Sequence, residues 1–388
     1  MGAFNPLVQK LDPPPVPSVL AWGRAYDGSR GPLIDLSQAV PGYPAHPDML
    51  RLLGETASSA AYAGYGPIEG EPELRAAYAR HVSQVYGTGA GPENIHITSG
   101  CNQAFACAAM AVAGPGDSVL MTDPFYFNQE TTLAMMGIRA AFVPCAAENG
   151  FLPDIGALEE AMTADVKALA IVSPNNPTGA IYPSALLESI FSLCRDRGVW
   201  LILDETYRDF LPQAGQAPHG LFNLHGWEDT LIGLYSFSKS FCIPGHRLGA
   251  IMAGAGVVEQ VAKIMDNLQI CAPRAAQAAV ALPLLAGWRE ENRREIGRRA
   301  DALRAVMRAA PDWKIDAIGA YFAFVRHSFR GRDSSEVAEH LARRAGILCI
   351  PGSYFGEGQQ DYLRFAFANA NGETIRLLEE RLRDFSLS

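Results

Sequence analysis

Lysine is scarce in this 388-residue chain, which has 32 lysines and arginines in total. The lysines are Lys10, Lys167, Lys239, Lys263 and Lys314. The amine of a lysine can attack a carbonyl group to form an imine, so any lysine chemistry in this protein must use one of these few side chains.

The spacing of the cysteines and the absence of long apolar runs exclude further classes of protein. The seven cysteines are odd in number and include no C-x-x-C pair, which argues against a disulfide framework and a zinc ribbon. No apolar run of about 18 residues occurs, and the proline-rich first segment has no continuous apolar stretch. We therefore expect no membrane span and no signal peptide, and we predict a cytoplasmic protein.

Several enzyme motifs are also missing. No G-x-G-x-x-G follows a predicted strand, and no Walker loop or G-x-S-x-G is present. The eight histidines show no metal-binding spacing, so we expect no metal. The formal net charge of -9 disfavours nucleic acid and anionic membranes as partners, because both attract lysine and arginine.

The order of apolar segments predicts an α/β fold. A chain of 388 residues exceeds the usual size of one hydrophobic core, which favours two domains. Short apolar runs alternate with plausible helices, and this predicts a mostly parallel seven-stranded sheet. The runs are Asn94–Thr98, Ser118–Thr122, Arg139–Val143, Lys167–Val172, Val199–Leu203, Thr230–Tyr235 and Gly249–Ala253, and the helices are 56–64, 70–86, 101–113, 126–137 and 184–198.

The two ends of the chain differ from this pattern. Residues 1–45 are rich in proline and glycine, which predicts an arm rather than a core element, and we expect this arm to join the smaller domain. Residues 256–310 are predicted to be helical, and the mixed pattern after them predicts a small α+β domain. Its strands are predicted at Ala320–Val325, Ile347–Ile350 and Tyr362–Ala366, and its helices at 334–345 and 373–384. We place the large domain at 46–275 and the small domain at 276–388.

The most informative motif is S-F-S-K at 236–239, followed by G-H-R-L-G at 245–249. Ligands of open α/β sheets bind beyond the carboxyl ends of the strands. A lysine directly after a buried strand is unusual, and removal from water would lower the pKa of Lys239 and make its amine reactive. Ser236, Ser238 and Arg247 would suit a phosphate group. The alternative is an exposed lysine at a strand end, followed by a plain turn.

A carboxylate and a phenol follow the run Val199–Leu203, in D-E-T-Y at 204–207. Asp204 could bind a protonated ring nitrogen and so make the ring an electron sink. Tyr207 could donate a hydrogen bond to a ring phenolate. The alternative is that Asp204 only caps the next helix.

Two further loops carry candidate site residues. Asn176 lies in S-P-N-N-P-T-G at 173–179, where prolines and a glycine would hold its amide in one orientation unless this is an ordinary turn. The sequence T-S-G-C-N at 98–102 links a strand to an alanine-rich helix. Gly100 would let backbone N–H groups approach an anion there, and the alternative is a plain helix start.

In their order along the chain, the four motifs resemble those of the class I/II aminotransferases of the aspartate-aminotransferase (fold type I) family. These enzymes depend on pyridoxal 5'-phosphate (PLP). The resemblance runs from about Ile34 to the C-terminus, and S-x-S-K-x5-G-x-R-x-G with N-P-x-G is specific in combination. It implies a ping-pong transfer of an amino group from an L-amino acid to a 2-oxo acid. A PLP-dependent β-eliminating (C–S) lyase and a non-catalytic PLP ligand-sensing domain are the alternatives.

The resemblance implies a role for each motif residue. Lys239 is similar to the lysine that holds PLP as a Schiff base and moves a proton between the substrate Cα and C4′. Asp204 resembles the partner of the pyridine nitrogen, and Tyr207 and Asn176 resemble the pair that binds the ring O3′. The other cofactor-binding residues would be Gly100, Cys101, Asn102, Tyr126, Ser236, Ser238 and Arg247. Tyr126 would stack on the ring, unless it is a core aromatic.

Three further residues are implied by the same resemblance. Tyr65 is similar to the tyrosine that reaches the phosphate of the neighbouring subunit, which implies a homodimer. Arg364 resembles the arginine that binds the substrate α-carboxylate, and its alternative is a structural ion pair. Asn176 is expected to contact the substrate as well. Ala39 stands where the family usually has glycine, in a segment that closes over the substrate.

Because Ala39 departs from the family pattern, the resemblance does not identify the substrate. Ala39 and Tyr43 are expected to shape the substrate pocket, and no second arginine can be assigned to a dicarboxylate side chain. The apolar run Ala320–Phe324 is interpreted as core packing rather than as a pocket wall. The sequence therefore predicts the cofactor but neither the amino donor nor the acceptor.

Overall fold

The computed structural model describes residues 2–213, 215–280 and 285–387. The strands are β1 (Ile34–Asp35), β2 (Ile95–Thr98), β3 (Ser118–Asp123), β4 (Arg139–Pro144), β5 (Val166–Val172), β6 (Trp200–Asp204), β7 (Leu231–Ser236), β8 (Gly249–Met252), β9 (Trp313–Gly319), β10 (Phe322–His327), β11 (Ile347–Leu348), β12 (Ile350–Pro351) and β13 (Tyr362–Phe365). The helices are α1 (Pro6–Gln9), α2 (Pro15–Arg24), α3 (Pro47–Ala57), α4 (Pro72–Tyr86), α5 (Cys101–Val112), α6 (Phe127–Met135), α7 (Ile155–Ala161), α8 (Ser184–Arg197), α9 (Phe237–Ser240), α10 (Ala255–Leu268), α11 (Arg274–Ala279), α12 (Ala286–Ala309), α13 (Ser334–His340), α14 (Gly372–Arg376) and α15 (Leu378–Arg383).

The large sheet has the strand order β2-β8-β7-β6-β5-β3-β4. Strand β8 is antiparallel to both of its neighbours, and the other pairs are parallel. Each of the seven predicted strands is present, with its ends within one residue of the prediction. The mostly parallel seven-stranded sheet is therefore confirmed.

Both faces of this sheet are covered, which explains why its strands are apolar without alternation. On one face, α5 contributes Ala104, Phe105 and Ala108 to a buried cluster with Ile202 of β6. On the other face, α4 and α8 contribute to a second cluster that includes Leu201. With both faces packed, the carboxyl edge of the parallel strands is the part of the sheet available to a ligand.

A second, four-stranded antiparallel sheet follows in the chain, in the order β12-β13-β10-β9. The 24-residue helix α12 packs against it and contributes Ile296 and Leu303 to a separate buried cluster. Residues 281–284 of the predicted helical stretch lie outside the described residues. The domain limits at 45 and 275 remain predictions.

The structure corrects the interpretation of the N-terminal residues. Part of the predicted arm is the regular helix α2, which buries Val19 completely. Strand β1 pairs in parallel with β11, with Ile34 opposite Ile347. Both residues are fully buried, so this segment contributes to the core rather than lying over it.

Three element predictions were also wrong. The helix predicted at 56–64 is α3, which ends at Ala57; its start is marked by a proline at the first helical position after the cap His46. The predicted strand at 320 begins at Phe322, because Ala320 has a φ of +46°. The predicted strand Ile347–Ile350 is split between two sheets. Among the described residues, none of the helices has the length and apolar composition needed to cross a membrane.

Candidate active site

A cavity of about 480 Å³ opens at the carboxyl edge of the large sheet. Its wall brings together the predicted site residues Ala39, Cys101, Asn102, Tyr126, Asn176, Asp204, Tyr207, Ser236, Ser238, Lys239, Arg247 and Arg364. These residues come from both ends of the chain and from several strand ends. The fold therefore collects in one place the side chains that the sequence distributes over more than 300 positions.

Lys239 lies in the one-turn helix α9, directly after β7. Its side chain lines the cavity, and its Nζ donates a hydrogen bond to the carbonyl oxygen of Ala39. Burial lowers the pKa of Lys239 to about 8, and the positive charges of Arg364 and Arg247 act in the same direction. Near neutral pH, more of this amine is uncharged than in an exposed lysine, whose pKa is about 10.4.

Asp204 is the last residue of β6 and is buried. Its Oδ1 accepts hydrogen bonds from the backbone N–H and the hydroxyl of Thr206, at 3.0 and 2.7 Å. Its Oδ2 accepts a hydrogen bond from Nε2 of Gln129 at 3.0 Å. These donors are uncharged, and burial raises the pKa of Asp204 above its ordinary value. The carboxylate thus caps the following turn and also faces the cavity.

Gln129 is a site residue that the sequence did not reveal. It is buried, and it lies in the first turn of α6. A single glutamine within a helix belongs to no motif, and only the packing of α6 against the end of β6 brings its amide to Asp204.

Two tyrosines form another part of the wall. Tyr207 packs against the rings of Tyr321 and Phe322, with centroids 5.3 and 5.0 Å away. The hydroxyl of Tyr126 accepts a hydrogen bond from Nδ2 of Asn128 at 2.7 Å. Burial raises the pKa of both phenols, so both are protonated near neutral pH and can donate a hydrogen bond.

Hydrogen-bond donors converge where α5 and α9 begin. The N–H of Ser238 donates to Oγ of Ser236 at 3.3 Å, and Nη2 of Arg247 donates to the carbonyl oxygen of Ser99 at 3.4 Å. A Cβ at Gly100 would lie 2.2 Å from this Nη2, so glycine permits the approach of the guanidinium. The first N–H groups of α5 have no partner within the helix. Hydroxyls, a guanidinium and helical N–H groups form a donor set that suits a phosphate.

Arg364 in β13 is only 3% exposed. Its Nη1 donates to Oδ1 of Asn176 at 3.0 Å, and its Nη2 donates to the carbonyl oxygen of Ser37. The rings of Phe322 and Phe355 lie 4.9 and 5.1 Å from its guanidinium carbon. Burial lowers the pKa of Arg364 to about 10.

These partners are all uncharged, and Nε of Arg364 has no partner among the described residues. The ion pair with a carboxylate, which was the alternative for Arg364, is not found in the described part of the chain. A buried guanidinium without an ion-pair partner is costly, and an anionic ligand would supply that partner.

Among the predicted features, Gly100, Tyr43, Tyr65 and the run Ala320–Phe324 do not line this cavity. The ring of Tyr43, which was expected to shape the substrate pocket, lies edge-on to that of Trp288, with centroids 6.0 Å apart. Tyr65 is 80% exposed and does not line the cavity of its own chain. The run Ala320–Phe324 is buried in the hydrophobic clusters, which agrees with its interpretation as core packing. Within it, Phe322 contacts the guanidinium of Arg364 and the ring of Tyr207, and Tyr321 also packs against the ring of Tyr207.

Residues 31–382 match the family model described as aminotransferase class I and II. The chain belongs to this family. It is an enzyme of the transaminase class, and the family uses pyridoxal phosphate.

Known proteins similar to this chain carry related names. An aromatic aminotransferase of Arabidopsis thaliana is 29% identical over 99% of this chain and 97% of its own length. An aspartate aminotransferase of Pyrococcus abyssi is 30% identical over 84% of this chain and 85% of its own. A solved single mutant of the Thermus thermophilus aspartate aminotransferase has a TM-score of 0.90 and 25% identity, covering 99% of both chains. None of these names supports the lyase alternative.

The residues of the cavity fit pyridoxal phosphate. Asp204 has neutral partners and a raised pKa, as expected of a carboxylate that lacks the positive charge of a ring nitrogen. Lys239 offers an amine of lowered pKa, and Gly100 leaves room for Arg247 beside the free N–H groups of a helix. Each polar part of the cofactor would therefore find a partner of suitable chemistry.

Proposed function

We propose that this aminotransferase holds pyridoxal 5'-phosphate on Lys239 and transfers an amino group from an L-amino acid to a 2-oxo acid in two successive half-reactions. The observation that carries this proposal is the shared cavity of Lys239, Asp204 and Arg364. Lys239 is an amine of lowered pKa. Asp204 is a carboxylate bonded only by neutral donors, and Arg364 is a guanidinium bonded only by neutral acceptors.

Four side chains would hold the cofactor ring. When bound, pyridoxal phosphate supplies an aldehyde that amines attack and a ring that withdraws electrons from the attached carbon. Asp204 would keep a proton on the ring nitrogen, and Tyr207 would donate to the ring oxygen. Asn176 already accepts from Arg364 through Oδ1, which leaves its Nδ2 as a second donor to that oxygen. Tyr126 would lie against the ring face.

Arg364 and Lys239 would act on the substrate. The planar guanidinium suits a bidentate contact with the α-carboxylate, and this contact would fix which bond of Cα stands perpendicular to the ring. Once the amine of the substrate has replaced Lys239 on the cofactor, the released Lys239 amine would take the proton from Cα, for which its pKa of about 8 is suitable near neutral pH. Ala39, whose carbonyl accepts from Lys239, would lie beside the bound substrate.

The test uses the purified protein loaded with pyridoxal phosphate. An accepted L-amino acid, added without an oxo acid, should release one equivalent of its 2-oxo acid per site and then stop. A 2-oxo acid added afterwards should restore the original absorbance. Continuous release of pyruvate without an acceptor would instead identify a lyase. Binding of amino acids without any product would identify a ligand-sensing protein.

Two broader features belong to the same proposal. The exposed side chain of Tyr65 would reach the phosphate bound by a second copy of the chain, which makes the active form a homodimer. We also propose a cytoplasmic location, to which the seven free cysteines of the described chain are suited.

A further inference from the structure

The helix that carries Lys239 is very short. It spans only Phe237–Ser240, and a single helical turn is not stable without contacts from outside. Successive side chains of a helix differ by about 100° in direction. Lys239 and Ser240 therefore leave this turn in different directions, and whatever holds Ser240 limits the rotation of Lys239 about the helix axis.

Asp209 holds Ser240. The hydroxyl of Ser240 donates to Oδ2 of Asp209, and the hydroxyl of Tyr235 donates to the same oxygen at 2.6 Å. Nη1 of Arg289 lies 3.7 Å from this oxygen. One carboxylate oxygen thus connects α9 with the end of β7 and the start of α12.

Asp209 is kept ionised in this position. Burial alone would raise the pKa of Asp209, but the guanidiniums of Arg208 and Arg289, together with the hydroxyls of Ser240 and Tyr235, lower it below its ordinary value. An ionised carboxylate is a stronger hydrogen-bond acceptor than a neutral group. Arg208 itself lies over the ring of Tyr235, 4.1 Å from its centroid, which fixes this cluster from a third side.

Asp209 lies close in the chain to two residues of the proposed cofactor site. Asp209 belongs to the short 3-10 turn Arg208–Phe210, which begins directly after Tyr207 and lies just beyond Asp204 in the chain. The segment that would hold the nitrogen and the oxygen of the cofactor ring therefore also holds the turn that carries Lys239.

We infer that Asp209 is a positioning residue that acts through Ser240 to align the amine of Lys239 with Asp204 and Tyr207. The inference rests on the proposed function, since it concerns the same lysine. It predicts that the Ser240 hydroxyl matters for the proton transfer step and not for the binding of the amino acid, which Arg364 performs.

The variant Ser240→Ala tests this inference, and Tyr235→Phe is its matched control. Each removes one hydroxyl bonded to Oδ2 of Asp209, but only Ser240 lies on the turn of Lys239. For Ser240→Ala we expect kcat to fall by about 10-fold or more, because misplacement by about 1 Å can cost up to about 100-fold. KM for the amino acid should stay within about twofold. Tyr235→Phe should leave both constants close to the wild-type values.

A second readout does not depend on turnover. The circular dichroism of the bound cofactor, measured per mole of cofactor, reports its orientation relative to the protein. It should change in Ser240→Ala and not in Tyr235→Phe. Asp209→Asn combined with Ser240→Ala should add little to the effect of Ser240→Ala alone, because coupled residues are not additive.

Two results would overturn the inference. One is a Ser240→Ala enzyme with wild-type kcat and circular dichroism, even if urea unfolds it more easily. The other is an equal loss in Ser240→Ala and Tyr235→Phe, which would indicate a purely structural carboxylate. If the wild-type protein itself shows no cofactor absorbance and no half-reaction, the proposed function has failed instead.

Discussion

The glycine at position 100 allows a test of the phosphate-binding region. In Gly100→Ala, the new Cβ would lie 2.2 Å from Nη2 of Arg247 and would displace this guanidinium. We expect the affinity for pyridoxal phosphate, measured by titration of the apoenzyme, to fall by about 10-fold, or about 1.4 kcal/mol.

Gly116→Ala is the matched control for this change. Both glycines have a positive φ, of +88° and +96°, but a Cβ at Gly116 would meet no atom within 4 Å. Both variants should lose stability through backbone strain, and only Gly100→Ala should lose affinity for the cofactor. Equal affinities in the two variants would contradict the assignment of Arg247 to the phosphate.

Some residues of the site can be predicted from the sequence and others cannot. Lys239, Asp204 and Asn176 follow predicted strands, and parallel strands bring their carboxyl ends to one edge of a sheet. Their convergence can therefore be predicted from the sequence. Gln129 and Asp209 cannot be predicted in the same way, because their partners are 75 and 31 positions away and are brought close only by packing.

Among the elements, the strands were easier to predict than the helices near the N-terminus. Strands buried on both faces are short, apolar and bounded by turn residues, so their limits can be located closely. Helix α3 was misplaced because its cap is His46 rather than one of the common cap residues, and α2 was missed in a proline-rich segment. Strand β9 was not predicted, because it is only partly buried and has a weak apolar pattern.

The Asn176 loop and the turn between β9 and β10 pack backbone against backbone. A Cβ at Gly179 would lie 2.4 Å from the carbonyl oxygen of Phe322 and 2.5 Å from the nitrogen of Gly319. No flexible side chain is available to move aside. This contact fixes the loop that carries Asn176 relative to the sheet that carries Arg364.

We therefore expect Gly179→Ala to lower the free energy of unfolding by about 2 kcal/mol more than Gly150→Ala. Gly150 also has a positive φ, but a Cβ there would meet nothing within 4 Å. Urea unfolding of both variants measures the difference. KM for the amino acid should rise only in Gly179→Ala, and equal stability of the two variants would show that the contact is unimportant.

At the scale of the whole molecule, the site depends on parts of the chain that are far apart in sequence. The N-terminal segment contributes Ser37 and Ala39, the turn that follows β7 of the large sheet contributes Lys239, and the small sheet contributes Arg364. Tyr65 does not join them within one chain. The family resemblance alone assigns it to the neighbouring subunit.

Complementation between two inactive variants tests this assignment. A dimer of one Lys239→Ala subunit and one Tyr65→Ala subunit would contain one site with the normal Lys239 of one chain and the normal Tyr65 of the other. Co-expression of these variants should therefore restore activity that neither variant has alone. Lys239→Ala with Asp204→Ala should restore none, since each of their sites keeps one defect. No recovery in mixed dimers of the first pair would contradict the role of Tyr65.

The attachment of the cofactor to Lys239 can be measured directly, because the chain has so few lysines. Borohydride reduction of the loaded enzyme fixes the cofactor covalently to the amine that holds it, and peptide mass mapping then identifies that amine. We predict the label on the peptide that contains Lys239. Stoichiometric label on Lys10, Lys167, Lys263 or Lys314, or an enzyme that turns over without any labelled lysine, would show that Lys239 does not hold the cofactor.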